Sequence, residues 1–371
     1  MTENIAFRIR SAFRRALFTD YKSSIIRHQS SIFLACLAIL LAGPLAASEL
    51  SEPVSTSGRI VIVEDPAATV AFNPQPAPIR RMVQQGLLTL TAKNNEKAAW
   101  LSLVSTNDKV GIKVFSAPGA SGTRKPVVEA IIQGLIDTGV PPNQIIVWDR
   151  RLADLRQAGY FDLAERYRVR VAGALEAGFD ENQFYETALL GKLVYGDLEF
   201  GKTGEKIGRR SFVSTLVTSN ITKIVNVVPL LNNNIAGVVG CLHSMALGSI
   251  DNTLRFEAEP DRLSTAIPEI YGLEPIADKV VLNIVDALIS QFQGEERTLL
   301  HYSTALNELW FSRDPVALDV LSVSELAKQR KEAGAPPLRV NMEIFSNAGL
   351  LELGQADSSR VNVERVKPKA E

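Results

Sequence analysis

The fold is decided by two short apolar runs, Val110-Gly111-Ile112-Lys113-Val114-Phe115 and Gln144-Ile145-Ile146-Val147-Trp148, and by the segment between them. Each run has the length and the β-branched content of a buried strand. Between them, apolar side chains recur at helical spacing over residues 125–139. A strand, a helix and a second strand of this length predict a right-handed crossover between parallel strands. The centre of the chain is therefore predicted to be α/β.

The same alternation continues toward the carboxyl terminus. Apolar runs at 223–228 and 280–285 predict two more buried strands, and helices are predicted over 236–248 and 315–333. Near-continuous apolar strands that alternate with helices are typical of a sheet covered on both faces. We therefore expect an α/β fold with a mostly parallel sheet covered by helices on both faces, interrupted by a polar inserted segment over 152–219.

The first 48 residues have the order of a secretory signal. Basic residues precede an uncharged stretch from Gln29 to Ser48, whose apolar run ends at Gly43-Pro44 before a series of small residues. Basic region, short apolar core, helix break and small residues are typical of a cleaved signal peptide. We expect residues 1–48 to be a signal peptide and the protein to be exported, either periplasmic or extracellular. The alternative is an uncleaved signal anchor, which is then the only contact with a membrane that we expect.

Two further regions follow the predicted signal. Residues 49–77 carry Ser, Pro and Thr around one apolar run at 59–63, which predicts a tether with an edge strand. Residues 78–371 are predicted to form a single α/β domain, because helical and strand patterns follow one another there without a second linker.

Composition and charge exclude several classes of protein. The chain has 371 residues, of which 46% are hydrophobic and 22% charged, as is ordinary for a globular protein. Its formal charge is −1, and the first 48 residues hold six basic and two acidic residues, so the remainder carries −5. Affinity for phosphate backbones comes mostly from clustered Lys and Arg. Nucleic acid is therefore not expected to be a partner.

Cysteine and histidine are scarce. Cys36 lies in the predicted signal, which leaves only Cys241 in the mature chain. An iron–sulfur cluster needs several thiolates and is not expected, whereas a divalent cation held by carboxylates remains open. Cys241 and His243 are two residues apart, a spacing that suits a catalytic couple poorly on a helix or a strand. We expect a buried Cys241 and keep His243 as a ligand-binding candidate.

Ligands in open α/β sheets gather beyond the carboxyl ends of the strands. A glycine-containing loop follows the first predicted strand and supplies Ser121, Thr123 and Arg124. Glycines let backbone amides approach an anion, and Arg124 adds positive charge at the start of the following helix. A bound phosphate or carboxylate is one hypothesis for this place, and a capped turn without a ligand is the other.

Two more strand ends carry polar residues. Asp149 and Arg150 follow the second strand, where Asp149 is a candidate for binding a ligand hydroxyl or a metal ion. A structural Asp–Arg pair or a helix cap is the alternative. The third strand is followed by Asn232, Asn233 and Asn234, whose amides suit either a polar ligand or a turn.

Asp286 directly follows the fourth apolar run and is the strongest single candidate. An acid in an apolar run is costly unless it is paired or solvated. We expect Asp286 to lie near Lys113 and Asp149 at one rim of the sheet. Asp149 and Asp286 are then candidates for holding a divalent cation or for acid–base work, and Lys113 offsets charge on the ligand.

Two other polar groups have structural explanations. Asp314 before Pro315 is typical of a helix cap, since Pro suits the first helical position. One basic group is expected to be a solvated loop, with an anion-binding patch as the alternative. Its members are Lys202, Lys206, Arg209 and Arg210.

Several motifs occur along the chain in a familiar order: Ala99-Trp100-Leu101-Ser102, Asp108 to Val114, Val127 to Asp149, Ile224 to Gly240, Asp278 to Asp286, and Ser312 to Asp319. Together they resemble the family called domain of unknown function 362, over a stretch from about Ile79 to Val366. The resemblance implies an α/β domain whose activity is generally unassigned. It also implies a family with some exported members and others joined to iron–sulfur modules.

The chain departs from that family's pattern at three places. Phe115 stands where the family often has Asn, and the loop 232–235 lacks a frequent Lys and His. His243-Ser244 stands where the family has a Lys-Asn pair. Compared with that family, the chain therefore has fewer positive and proton-transferring groups at the expected pocket. The resemblance then implies a changed substrate or lost turnover.

The function expected from the sequence is binding of a small anionic or metal-associated ligand at the carboxyl ends of the strands, by an exported protein of unassigned activity. The alternative is a non-catalytic accessory or binding protein of the envelope. Whether the protein is an enzyme stays open at this point, and a redox carrier is disfavoured by the single mature cysteine.

Overall fold

The computed structural model describes residues 58–117, 121–257 and 259–368. The predicted signal peptide, residues 1–48, lies outside the described residues. The strands are β1 (Arg59–Glu64), β2 (Thr69–Val70), β3 (Asn73–Pro74), β4 (Val110–Val114), β5 (Ile145–Asp149), β6 (Arg170–Gly173), β7 (Phe179–Glu186), β8 (Arg210–Ser214), β9 (Lys223–Asn233), β10 (Gly237–Val238), β11 (Val280–Gln291), β12 (Ser303–Ser312) and β13 (Asn362–Val366).

One large sheet has the strand order β13-β1-β12-β11-β9-β4-β5-β6, with β10 paired to β9. Along this order neighbours run parallel except at β12, which is antiparallel to both β1 and β11. The predicted α/β fold with a mostly parallel sheet is confirmed. Because β11, β9, β4, β5 and β6 are parallel, their carboxyl ends lie at one edge of the sheet.

Helices cover the sheet on both faces, as predicted. Their bounds are Pro76–Thr91, Glu96–Leu101, Lys125–Thr138, Leu152–Gln157, Tyr160–Tyr167, Ala174–Ala177, Cys241–Gly248, Leu254–Glu257, Pro260–Tyr271, Glu274–Ala277, Pro315–Glu332 and Glu343–Leu350.

Each face of the sheet has its own apolar core. Alternating side chains of one strand enter different cores: Ile146 and Trp148 pack in one, whereas Ile145 and Val147 pack in the other. This follows from the period of two in a strand, which sends successive side chains to opposite faces. The inner strands of the sheet are therefore largely apolar on both faces, which is why the sequence predicted them as continuous runs.

The prediction that residues 49–77 form a tether is wrong for β1, which belongs to the large sheet. This strand is not at an edge, because it lies between β12 and β13. Residues 60–63 are fully buried, and the first helix begins at Pro76 rather than Pro78. The neighbour β13 comes from the far end of the chain, so the sequence around β1 gives no sign that a second partner covers its other side.

Two predicted strand ends are also corrected. β9 continues from residue 228 to Asn233, and β11 continues from residue 285 to Gln291. Asp286 therefore lies inside a strand rather than after it. The helix predicted from residue 236 begins at Cys241, because Gly237–Val238 first forms a strand with β9.

Asp314 caps the helix Pro315–Glu332, as its position before Pro315 predicts. One carboxylate oxygen accepts the Ala317 amide at 2.9 Å. The other accepts the amides of Gly58 at 2.7 Å and Gln355 at 2.8 Å. The side chain is buried, and it joins the start of β1 to the segment before β13. One carboxylate thus ties the two ends of the described chain to the same helix.

Replacing Asp314 by Ala is expected to lower the free energy of unfolding by roughly 2–4 kcal/mol, because the cap and two further amide acceptors are lost in a buried place. Urea unfolding of the full chain measures this change. The matched control is Asp357→Ala, which removes a carboxylate from the exposed turn at Ser359 and should change stability little. Equal effects of the two substitutions would contradict the structural role of Asp314.

Candidate functional site

A cleft of about 460 Å³ opens at the carboxyl edge of β4, β5 and β9. It lies where strand ends, the loop after β4 and the helix Cys241–Gly248 meet. Its walls include seven charged side chains besides His243 and Asn233: Lys113, Asp149, Arg150, Arg151, Asp154, Glu257 and Glu296. A second cavity of about 420 Å³ adjoins it and shares Phe115, Asn233, His243 and Glu296.

A buried ion pair forms part of the cleft wall. Lys113 on β4 and Asp149 at the end of β5 lie on paired strands, and the ammonium nitrogen is 2.8 Å from Asp149 Oδ1. Lys113 also donates to the Val114 carbonyl at 2.8 Å and to Ser244 Oγ at 3.1 Å. All three of its protons therefore have acceptors, and the side chain is 1% exposed.

Asp149 is held in its ionised form. Its second oxygen accepts from the backbone amide of Ser116 at 2.8 Å and from the Ser116 hydroxyl at 2.6 Å. Burial alone raises the pKa of this carboxyl, but the charge of Lys113 and the hydrogen bonds from Lys113 and Ser116 outweigh burial, so its pKa lies below the ordinary value. Asp149 is therefore a fixed negative charge rather than a proton donor near neutral pH.

Three more carboxylates face the cleft. Burial raises the pKa of Asp154, and the charges of Asp149 and Glu176 add to this shift against the opposing charge of Arg151. Partial burial also raises the pKa of Glu296, and the neighbouring charges of Asp154, Glu295, Asp149 and Glu257 act in the same direction. The acids of the cleft thus repel one another, and a positive group among them would lower their electrostatic energy.

Two arginines follow Asp149 on the same wall. Arg150 donates to Thr253 Oγ1 at 2.7 Å, and burial lowers its pKa without removing its charge. Arg151 is exposed. Among the described residues, no hydrogen bond or ion pair occupies the side chains of Arg151, Asp154, Glu257 or Glu296. These four charged groups are available to a bound molecule.

His243 faces both cavities as a neutral imidazole. Burial lowers its pKa to about 4, although the charge of Glu257 opposes the shift. Its Nδ1 atom is buried and has no hydrogen-bond partner among the described residues. The next residue, Ser244, accepts from Lys113. The helix thus contributes a neutral ring and a structural hydroxyl to the same wall.

Asp319 fixes the start of that helix. Its two oxygens accept the amides of Cys241 at 2.5 Å and Leu242 at 2.9 Å. Burial raises the pKa of this carboxyl to about 7, and the two backbone donors only partly oppose the shift. Cys241 is fully buried and its pKa is raised well above normal by burial, which agrees with the expected structural role.

The structure separates Asp286 from the cleft, which corrects the expected convergence of Lys113, Asp149 and Asp286. Asp286 is fully buried and does not line either cavity. It accepts the Arg124 amide at 2.8 Å, and the Arg124 guanidinium lies 3.5 Å away. Burial raises its pKa, with Arg124 opposing the shift. The burial cost of this acid is met inside the protein, so no ligand is needed to explain it.

The contact of Asp286 with Arg124 also bears on the two hypotheses for Ser121, Thr123 and Arg124, a bound anion or a capped turn. The helix Lys125–Thr138 begins after Arg124, and the anion at its start is the carboxylate of Asp286. Thr123 Oγ1 donates to the Val227 carbonyl, and Ser121 Oγ donates to the Glu296 carbonyl. This region forms a capped turn, and none of these three residues lines the cleft.

The three asparagines mainly form a turn. Asn233 Oδ1 accepts the amides of Ile235 and Ala236, and Asn232 Oδ1 accepts the amide of Glu295. Asn232 and Asn233 still line the second cavity, whereas Asn234 lines a separate cavity of about 260 Å³ beside Arg330. The turn interpretation is therefore confirmed for Asn232 and Asn233, and a ligand contact of these two residues stays a prediction.

The expected metal pair of Asp149 and Asp286 is also corrected. The two carboxylates have different cationic partners, Lys113 and Arg124. Within residues 58–117, 121–257 and 259–368, no group of three or more His, Cys, Asp and Glu side chains is arranged to hold a metal ion.

In the same ranges no helix is long and apolar enough to span a bilayer.

Four charged residues of the cleft were not among the sequence candidates: Arg151, Asp154, Glu257 and Glu296. Asp154 lies in the first turn of the helix Leu152–Gln157, where an acidic residue has an ordinary structural explanation, so the sequence did not mark it as part of a site. Glu257 and Glu296 lie in polar stretches far from any predicted strand end, and only the fold brings them to the cleft.

The chain shows little similarity to known proteins. No protein-family model matches it, and no curated protein matches it. Among solved structures it is similar to a crystal structure of a protein from Thermotoga maritima, with a TM-score of 0.40 and 12% sequence identity. The match covers 71% of this chain and 60% of that chain, which is less than two thirds of that protein's length.

Breaking the buried pair is expected to destabilise the protein. Lys113→Met leaves the Asp149 carboxylate buried without its cation and should cost about 3–5 kcal/mol in urea unfolding. Lys113→Met combined with Asp149→Leu should recover most of this loss, because both charges are removed. The control Arg166→Met breaks the exposed pair with Glu129 and should have little effect. A double variant no more stable than Lys113→Met contradicts the coupling.

Asp319 makes stability depend on pH. Its pKa is raised from 3.8 to about 7 in the folded state, so the folded protein retains a proton that the unfolded chain releases. This contribution is fully present below about pH 4 and is lost as the pH rises through about 7. The stability of the wild type relative to Asp319→Asn should fall by about 4 kcal/mol between pH 4 and pH 8. A pH-independent difference in urea unfolding would contradict this.

Proposed function

We propose that the protein binds a small polar molecule in the cleft at the carboxyl ends of β4, β5 and β9. The observation that carries the proposal is the set of four unoccupied charged side chains, Arg151, Asp154, Glu257 and Glu296, around one cavity. Charged side chains of folded proteins are stabilised by water or by partners, and a concave site with several such groups is the default place for a ligand.

The charges indicate the chemical class of the molecule. Arg151 and the neighbouring Arg150 suit a carboxylate or phosphate group, which guanidinium groups bind through paired hydrogen bonds. Asp154, Glu257 and Glu296 suit a positive group, such as an ammonium or a cation carried by the ligand. Burial and, after it, repulsion from neighbouring acids raise the pKa values of Asp154 and Glu296, and a positive group relieves this repulsion. The proposed ligand is anionic at one group and carries a cationic or metal-associated group at another.

Binding is favoured over acid–base turnover by Lys113 and Asp149. Every proton of the Lys113 ammonium is donated within the protein, and the lowered pKa of Asp149 keeps that carboxyl ionised. A general acid or base needs a pKa close to the working pH and a free route to the substrate. We therefore propose that this pair preorganises the cleft for binding rather than exchanging protons with a ligand.

We also propose that the protein acts outside the cytoplasm and belongs with the domain of unknown function 362 proteins. The support is the order of basic, apolar and small residues over 1–48, together with the motifs between residues 79 and 366. Both parts of this proposal rest on the sequence alone. Fractionation of cells expressing the full chain tests the location directly.

Arg151→Ala is expected to weaken ligand binding about tenfold or more, because a charge-assisted contact is lost. The full chain is purified from its native envelope, co-purifying molecules are identified by native mass spectrometry, and affinity is then measured by calorimetry. The matched control is Arg313→Ala, another exposed arginine that lies away from the cleft. Glu296→Gln should weaken binding of the positive group. Unchanged binding by both Arg151→Ala and Glu296→Gln contradicts the proposed site.

A further inference from the structure

The inserted segment carries a surface loop that closes on itself. The loop runs from Gly191 to Gly208, whose backbones meet where the Gly191 amide donates to the Gly208 carbonyl at 2.9 Å. A side chain at Gly208 would be strained, because its φ is +82° and a Cβ would lie 3.1 Å from the Gly191 carbonyl. The two ends of the loop are thus fixed together, in the manner of a compact Ω-loop.

Buried carboxylates hold the interior of this loop. Asp197 accepts the amides of Val194 at 2.8 Å and Asn252 at 3.0 Å. Glu199 accepts the Gly208 amide at 2.8 Å. Because these two acids are buried and bonded to backbone, they turn inward and fix the shape of the loop. Several of the remaining side chains of the loop are exposed on a frame that these contacts hold in place.

Large apolar side chains are exposed on the loop and directly before it. Tyr195 is 89% exposed and Phe200 is 51% exposed, and their ring centroids are 6.0 Å apart in an edge-to-face contact. Leu190 precedes the loop and is 63% exposed. Large apolar side chains grouped on a surface mark a place of interaction, because each one exposed to water costs free energy.

The charges around these rings are mostly positive. Lys192, Lys202 and Lys206 are exposed, whereas the exposed acid of the loop is Glu205. The expected basic group divides here: Lys202 and Lys206 point outward, whereas Arg210 is paired with Glu186 and Arg209 is half-buried. Lysines beside exposed aromatic rings are typical of surfaces that meet anionic lipid head groups.

We propose that the Gly191–Gly208 loop, with Leu190, is a docking surface for an anionic phospholipid membrane. The Tyr195 and Phe200 rings enter the interfacial region, and Lys192, Lys202 and Lys206 contact the phosphate groups. Lysine is depleted in protein–protein interfaces, so the composition of the loop favours a lipid surface over a protein partner. The rigid frame lowers the ordering cost of this contact, because the rings are held in place before binding.

Site-specific fluorescence tests the proposal in the full chain. The native tryptophans Trp100, Trp148 and Trp310 are at most 1% exposed, so lipid-borne quenchers outside the protein do not reach them by direct contact. In a Tyr195→Trp variant the new indole should be quenched by vesicles of brominated phosphatidylglycerol. The matched control is Leu350→Trp, at a residue that is 81% exposed on the helix Glu343–Leu350. This indole should not be quenched, even if another part of the chain holds the protein on the vesicle.

Electrostatics supplies the second arm. Adding Lys192→Ala, Lys202→Ala and Lys206→Ala to Tyr195→Trp should raise the lipid concentration for half-maximal quenching at least about tenfold, since each lysine near an anionic surface contributes to binding. High salt should have a similar effect, and brominated phosphatidylcholine should quench weakly. Equal quenching of Tyr195→Trp and Leu350→Trp would overturn the proposal. Quenching that does not change with the lysine substitutions or with the lipid charge would overturn it as well. Binding of the loop to another protein, when vesicles are also available to it, would also overturn the proposal.

Discussion

The carboxyl edge of the sheet depends on one buried ammonium group. Lys113 Nζ joins three elements at once: the end of β4 through the Val114 carbonyl, the end of β5 through Asp149, and the helix Cys241–Gly248 through Ser244. Burying a charge is costly unless it is paired and fully hydrogen-bonded, and here both conditions are met. Because the cleft lies between the same three elements, its shape depends on this contact.

The protein supplies its own anions at several helix starts. Asp286 accepts from Arg124 before the helix Lys125–Thr138, Asp319 accepts from the first amides of Cys241–Gly248, and Asp314 caps Pro315–Glu332. Each carboxylate stabilises the positive end of a helix and satisfies amides that have no partner within it. Of the three acids, Asp286 was expected from the sequence to face a ligand, whereas Asp314 was expected to cap its helix. The groups that remain for a ligand are those of the cleft.

Much of the fold was predictable because the parallel sheet is buried on both faces. Its strands are continuous apolar runs, and the helix Lys125–Thr138 shows a clear helical spacing between two of them. The place of β1 was not predictable, since its partners β12 and β13 are remote in sequence. The end of β11 was predicted wrongly for a related reason. An acidic residue such as Asp286 is typical of a strand end, but its ion pair with Arg124 lets the strand continue past this position.

The candidate site was predictable in part. Lys113, Asp149, Arg150, Asn233 and His243 line the cleft because the carboxyl ends of parallel strands share one edge. Spacing in the sequence gives the end of a strand but not the direction of a side chain. The residues at the start of the helix Lys125–Thr138 therefore looked equivalent to those of the cleft, until the contact of Arg124 with Asp286 separated them.

Residues 251–253 contact both the cleft wall and the surface loop. Asp251 accepts the amides of Leu198 in the loop and Phe212 in β8, and burial raises the pKa of this carboxyl to about 6. Two residues further on, Thr253 accepts from Arg150 of the cleft wall. A short stretch of backbone thus positions both surfaces.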